Sequence, residues 1–249
     1  MDMRKTPDEI RLMREGGKIL AQALHTVAKL AVPGADVGEL DEQAIALLEK
    51  QGAKSAFKGY EGFPAGLCVS INSEVVHGIP VHGRVLKEGD IVGLDFGALY
   101  KGWYTDMALT VSVGKIGRKE KKLIEVTREA LERGIRMVKP GNTIGDIGST
   151  IQKYVEKKGF SVVRSLVGHG IGRHIHEDPQ VPNFGAKGTG ERLEAGMTIA
   201  IEPMVNAGEY PVRTLDDGWT IVTEDGSRSA HFEHTVAVTE RGYEILTAL

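Results

Sequence analysis

The chain has 249 residues, 41% of them hydrophobic, and its 31 basic against 34 acidic side chains leave a net charge of -3. That length fills one large core or two small ones, and the balanced charge excludes the chain-wide basic field of a nucleic-acid binder. One cysteine, Cys68, excludes an internal disulfide and fits a reducing compartment, while no apolar run approaches the roughly 20 residues that cross a bilayer.

Met1-Asp2-Met3-Arg4-Lys5 passes directly into a polar helical pattern instead of the apolar core of a signal peptide, so a soluble cytoplasmic protein is expected. Thr6-Pro7-Asp8-Glu9 marks a helix start: Thr6 caps, Pro7 suits the first turn and Glu9 completes a capping box. The helix should run to about Leu30, with Ile10, Met13, Leu20 and Leu24 on its apolar face and Pro33-Gly34 as its stop. Asp36 caps a second helix that turns Val37, Leu40, Ala44 and Leu47 inward and is closed by Gly52. Strands are expected at 67–72, 90–96 and 103–113, the last two joined by a hairpin turn at Tyr100-Lys101-Gly102.

Arg118-Lys119-Glu120-Lys121-Lys122 opens a further helix, and its charge reads as a solvated helix face, with a ribosomal or other acidic partner as the alternative. The punctuation of the first half then returns. Pro33-Gly34, Gly38, Glu49-Lys50 and Gly52 recur as Pro140-Gly141, Gly145, Glu156-Lys157 and Gly159, all displaced by 107 positions, with Val37, Glu39 and Leu40 matched by Ile144, Asp146 and Ile147. This register indicates an internal duplication, with halves near 1–114 and 115–249 packed as two related lobes of one unit. Further strands are expected at 160–166, 198–205, 219–223 and 230–239. Together these elements give an α+β architecture with an antiparallel or mixed sheet covered by helices, and no linker separates the halves.

Five residues able to hold a metal, Asp95, Asp106, His169, Glu202 and Glu233, interrupt stretches that otherwise read as buried strand. A buried carboxylate needs a partner or a proton. Four acids and one imidazole carry at most four negative charges, which two divalent cations balance, so a dinuclear metal site is the expected solution. Asp95 lies within Ile91 to Phe96, and Asp106 on the returning strand can face it across the ladder. His169 sits in Gly168-His169-Gly170-Ile171-Gly172, where glycines permit unusual dihedrals and let another segment or a ligand approach closely.

Arg173-x-x-His176-Glu177-Asp178-Pro179 adds a second imidazole and more acids. Glu202 ends the apolar run Met197 to Ile201 and is followed by Pro203, and Glu233 stands just ahead of Val236-Ala237-Val238. Alternation puts His231, Glu233 and Thr235 on one face and Phe232, His234 and Val236 on the other. His231 and His234 read as hydrogen-bonded structural groups, with metal ligation the alternative.

Ser70 to Pro80, the Asp95 to Asp106 hairpin, Gly168 to Pro179, Ile201 to Gly208, and Asp217-Gly218-Trp219-Thr220 through Glu233-His234-Thr235 together resemble type I methionine aminopeptidases over almost the whole chain. The resemblance implies a pita-bread fold, a pseudo-twofold α/β sandwich with a curved, mainly antiparallel sheet, as a single catalytic domain without the extra N-terminal domain of proline-specific relatives. It implies that Asp95 chelates one ion, Asp106 and Glu233 bridge both, and His169 with Glu202 complete the second. Cobalt, manganese, iron and zinc all suit such donors.

By the same resemblance His77 contacts the scissile amide, His176 stabilises developing oxyanion charge, Glu202 protonates the departing amine, and Tyr60, Phe63, Cys68 and Trp219 line the methionine pocket. Two positions depart from the family pattern, Phe57 where a cysteine is frequent and Ile175 where an aromatic is frequent. Asn72 and Ser229 match positions near a monovalent cation. The implied reaction is removal of the first methionine from nascent chains by a monomeric enzyme, with transient ribosome contact. A proline-specific aminopeptidase or dipeptidase of the same fold is the nearest alternative, and a non-catalytic binding relative a remoter one.

Overall fold

A computed structural model describes residues 3–249; Met1 and Asp2, which open the segment without a signal-peptide core, lie outside the described residues. Helix α1 spans Pro7–Leu30 because Thr6 and Glu9 form the reciprocal capping box and Pro7 presets the first turn. Met13, Leu20 and Leu24 are buried, and Ile10 is half-buried at the edge of a smaller apolar cluster. Helix α2, Val37–Lys50, starts where Asp36 Oδ1 accepts the amides of Gly38 and Glu39.

The chain continues through β1 (Lys54–Ser55), a single 3-10 turn at Tyr60–Gly62, β2 (Leu67–Ile71), β3 (Glu74–Val76), β4 (Ile91–Tyr100) and β5 (Trp103–Ser112). Helices α3 (Arg118–Ile135) and α4 (Ile144–Lys157) follow, then the short strands β6 (Ser161–Val162), β7 (Gly168–Gly170) and β8 (Glu177–Val181). The remainder is β9 (Thr198–Ile201), β10 (Met204–Asn206), β11 (Val212–Thr214), β12 (Ile221–Thr223), β13 (Ser229–His231), β14 (Glu233–Thr239) and β15 (Gly242–Ile245). Helix α4 begins and ends 107 positions after α2, from 37 to 144 and from 50 to 157, the interval at which the Pro-Gly punctuation repeats. Arg118, Lys119, Lys121 and Lys122 are exposed on the first turns of α3.

Among the described residues nine strands form one sheet in the order β1-β4-β5-β14-β9-β7-β8, with β2 also on β4 and β15 also on β14, and every pairing in it is antiparallel. Two three-stranded sheets, β13-β10-β6 and β11-β12-β3, flank it. The β4–β5 hairpin turns through Lys101 and Gly102, both at positive φ, which suits a two-residue loop between right-twisted strands.

One face of the large sheet carries the helices. Leu94, Phe96, Met107 and Leu109 pack with Leu20 and Leu24 of α1 and Leu40 and Leu48 of α2. Ile199, Ile201, Val236 and Val238 pack with Leu123, Leu131, Ile147 and Ile151 of α3 and α4. Period-two alternation therefore turns Asp95, Asp106, Ala108, Ala200 and Glu233 to the opposite face.

Several strand boundaries differ from the sequence reading for local reasons. Asn72 adopts φ 57° and ends β2 at Ile71. The apolar run 198–205 breaks at Glu202-Pro203, since proline has no amide to continue the ladder, and its second piece joins a different sheet. The run 230–239 likewise divides at Phe232 into β13 and β14, and 160–166 contracts to two residues.

Candidate metal centre

The helix-free face builds its acidic site from strand register. Asp95 pairs with Ala108, and Ala108 pairs on its other side with Glu233, so two carboxyls flank a small side chain across three strands. Asp106 lies opposite Gly97, diagonal to Asp95 instead of directly across from it as the D-x10-D spacing suggested, and the two carboxyls share a hydrogen bond. Thr235 holds the Asp106 backbone from both sides: its Oγ1 accepts the Asp106 amide at 2.8 Å and donates to the Asp106 carbonyl at 2.9 Å. Sequence reading gave Thr235 no role, although its alternation with Glu233 placed it on the same face.

Strands β7 and β9 complete the ring. His169 Nδ1 is 2.9 Å from the Gly170 carbonyl, so its Nε2 is left to point inward, 3.5 Å from Glu202 Oε1. Gly168, Gly170 and Gly172 are not at positive φ, contrary to the expectation of unusual dihedrals; their purpose is close approach. A Cβ on Gly168 would lie 2.3 Å from the Ala200 carbonyl oxygen and one on Gly170 would lie 2.1 Å from that of Asp178. Glu202 is held by Asn183, whose Nδ2 donates to the Glu202 carbonyl at 3.1 Å.

These donors suit divalent cations. Among the described residues, one ligand atom each from Asp106, His169 and Glu233 lies within 4.8 Å of the others. Buried Asp95 Oδ1 and Glu233 Oε1 have no hydrogen-bond partner among the described residues, an arrangement that costs stability unless a proton or cation serves them. Burial pushes the Asp95 carboxyl up to about 7. Asp106 is raised well above its usual range by burial and by the charges of Asp95 and Glu202, Glu202 by burial and Asp95, and Glu233 by burial and by Asp106, Glu202 and Asp95. Burial pulls His169 down to about 4, which keeps its imidazole neutral and able to ligate.

A sign follows for pH. Histidines 169, 231 and 234, lowered from 6.5, contribute fully once pH exceeds that value. The carboxyls are raised, so their contribution to the stability of the metal-free fold falls as pH rises through their folded pKa values. With chelator present, the thermal midpoint should be higher at about pH 6.5 than at about pH 8, and divalent cations should reverse that order. Calorimetry in buffers of different ionisation enthalpy should register proton release on cation uptake; no release would contradict the raised carboxyls.

All five acidic and imidazole donors line a cavity of about 1000 Å³, together with His77, His176, Tyr60, Phe63, Cys68 and Trp219. Trp219 is set by Asp217, whose Oδ1 accepts the Trp219 and Thr220 amides, and its ring meets Phe63 edge-on at 5.1 Å and His77 at 6.4 Å. His77 adopts φ 58°, and burial and the neighbouring His176 lower its pKa. His176 packs its ring 4.4 Å from that of His169, and its Nδ1 is 2.9 Å from the Tyr60 hydroxyl. Phe57 also lines the cavity, whereas Ile175 is buried in a separate apolar cluster with Met13 and Trp103.

Other histidines and acids are placed differently. His234 makes the expected structural hydrogen bond, Nδ1 to Thr247 Oγ1 at 2.9 Å, but His231 Nε2 has no partner and lies 3.9 Å from Glu202 Oε2. Glu177 is engaged by Lys5, and Arg173 by Glu9. Met3, Arg4 and Lys5 line the cavity too, a contribution of the N-terminal segment that no local sequence signal disclosed.

The model of metallopeptidase family M24 matches residues 11–240. The chain belongs to that family. It is 52% identical over 243 residues to methionine aminopeptidase 1 of Bacillus subtilis, covering 98% of each chain. Its fold superposes on the crystal structure of a methionine aminopeptidase from Thermotoga maritima with a TM-score of 0.97, at 52% identity and 98% coverage of both. A prolidase from Pyrococcus furiosus is a more distant match, with a TM-score of 0.79 at 25% identity, and this chain spans 66% of that one. The pita-bread fold and the metallopeptidase class expected from the sequence are both met.

Proposed function

We propose that the protein is an aminopeptidase that removes the N-terminal methionine from polypeptides, using divalent cations held by Asp95, Asp106, His169, Glu202 and Glu233. The observation that carries this reading is the convergence of these five side chains, from five strands or strand ends, on one cavity walled by Phe63, Cys68 and Trp219. Near full-length similarity to methionine aminopeptidases at 52% identity supports the substrate, and the 25% identity to prolidase disfavours the proline-specific alternative.

When bound, the cations would supply water activation and polarisation of the scissile carbonyl. The polypeptide does the rest. Phe63, Trp219 and Cys68 form a compact apolar cluster against which a thioether packs well. Burial lowers the pKa of His176, so the imidazole is neutral; in the tautomer whose Nδ1 accepts from the Tyr60 phenol, Nε2 would carry the proton and donate to oxygen charge developing on the substrate. Glu202, whose Oε1 lies 3.5 Å from His169 Nε2, would pass a proton to the departing amine. His77, which lines the same cavity and is neutral for the same reason of burial, would contact the scissile amide.

Two cations per chain, drawn from cobalt, manganese, iron or zinc, balance the four carboxylates. Asn72 and Ser229 are joined by a 2.8 Å backbone hydrogen bond, and a monovalent cation beside them would belong to the same reading. No helix among the described residues is long and apolar enough to cross a membrane. A monomer acting in the cytoplasm on chains emerging from the ribosome is part of the same proposal. The exposed basic turn of α3 serves as a solvated face in this reading.

The test is hydrolysis of Met-Ala-Ser against Ala-Pro-Ser by chelated enzyme reloaded with each metal in turn. Release of methionine is expected, and preference for the proline peptide would overturn the assignment. His176→Ala should lower kcat by about 10² to 10³ with metal content unchanged, the range for losing one positioned donor.

A further inference from the structure

The N-terminal segment reaches the cavity through one buried ion pair. Lys5 Nζ lies 2.7 Å from Glu177 Oε2, with side-chain exposures of 5% and 18%, so the contact is not an incidental surface pair. The same ammonium donates to the Met3 carbonyl at 3.1 Å, and the Lys5 amide is fixed to the Gly196 carbonyl at 2.7 Å. Glu177 spends its other oxygen on the His174 amide at 2.9 Å. Lys5 also packs its stem against Gly172, where a Cβ would lie 2.4 Å from Lys5 Cε. The loop from Gly172 to Glu177 is thus clamped at both ends of a short arc, and His176 is the residue next to the Glu177 end.

Register extends the clamp to the metal side. Glu177 opens β8 and pairs with Gly170, the neighbour of His169. Burial alone would raise the pKa of Glu177, but the Lys5 hydrogen bond and the His174 amide hold it below the usual carboxylate range.

We propose that Lys5 is a positioning residue for the hydrolytic reaction: through Glu177 it holds the 172–177 loop so that His176 faces the substrate carbonyl. This rests on the proposed aminopeptidase reading. Lys5 itself touches neither the five donors nor the reacting atoms; its effect passes through the placement of an imidazole that must be aimed to within a fraction of an ångström.

The test compares wild type, Lys5→Gln, Lys5→Arg and Glu177→Gln on Met-Ala-Ser at saturating metal, with metal content measured on each and Lys5→Gln repeated in a His176→Ala background. Lys5→Gln and Glu177→Gln should each lower kcat by about 10- to 100-fold, the scale of a misplacement near 1 Å, with KM within about twofold and metal content unchanged. Lys5→Arg should recover part of the loss. In the His176→Ala background Lys5→Gln should cost no further activity, a result that a general loss of stability would not give.

An equal further loss in that background, wild-type kcat in Lys5→Gln, or loss of metal instead of turnover would overturn the inference. Should Lys5→Gln fold poorly, Glu177→Gln, which keeps the shape of the pair, carries the same comparison. An inactive wild type would count against the aminopeptidase reading, whereas an active wild type beside fully active variants would remove only the role of Lys5.

Discussion

Asp106→Asn is expected to abolish peptide hydrolysis, by at least about 10³-fold at saturating metal, while leaving the metal-free protein as stable as wild type or more so. Both halves of this outcome follow from placement. Asp106 is 4% exposed, hydrogen-bonded to Asp95, and burdened by the charges of Asp95 and Glu202. A carboxamide of the same shape keeps the Thr235 contacts, because those run to the Asp106 backbone, and it removes one member of a crowded group of like charges.

What it forfeits is an anionic oxygen in the group of donors that, among the described residues, the structure draws together with His169 and Glu233. Metal polarisation is worth several kcal/mol at the transition state, and each 1.4 kcal/mol is about tenfold in rate. Kinetics and thermal midpoints on chelated and reloaded samples measure both. Wild-type turnover would remove Asp106 from the site, and a collapsed fold would show that its carboxyl is a structural support.

Gly170→Ala should be the most damaging single methyl in the sheet. Gly170 has an ordinary φ, so dihedral strain is not the reason. The added carbon would sit 2.1 Å from the Asp178 carbonyl oxygen and 2.6 Å from its carbon, both backbone atoms that no rotamer change can move aside. Strand β8 would have to shift, carrying Glu177 and His176 with it, and His169 adjoins the substituted position. Overpacking of this kind costs about 3 kcal/mol, which lowers the thermal midpoint of a chain this size by about 6–12 °C. Circular dichroism melts and residual turnover check it; an unchanged melt with full activity would mean that β7 and β8 can separate freely.

Chemistry was more legible in the sequence than connectivity. The caps of α1 and α2 could be read to the residue because Thr6, Glu9 and Asp36 act on amides two or three positions away. Buried acids in apolar runs were equally plain, since a carboxyl within Ile91 to Phe96 has no cheap explanation in water-free surroundings. Strand β8 escaped notice because Glu177, Asp178, Pro179 and Gln180 look like a polar loop; only pairing with β7 makes it a strand. The runs at 198–205 and 230–239 looked continuous because composition does not record that the chain changes sheet at Pro203 and Phe232. The Lys5–Glu177 pair spans 172 positions and leaves no periodic trace.

Within the nine-stranded sheet, strands of the first half meet those of the second only along β5 and β14, and there the register comprises two residue pairs, Glu233 with Ala108 and His234 with Met107. Asp106 and Glu233 stand on opposite banks of that narrow suture. Ions gripped by both would act as rivets, so loading the site should also stiffen this seam of the sheet.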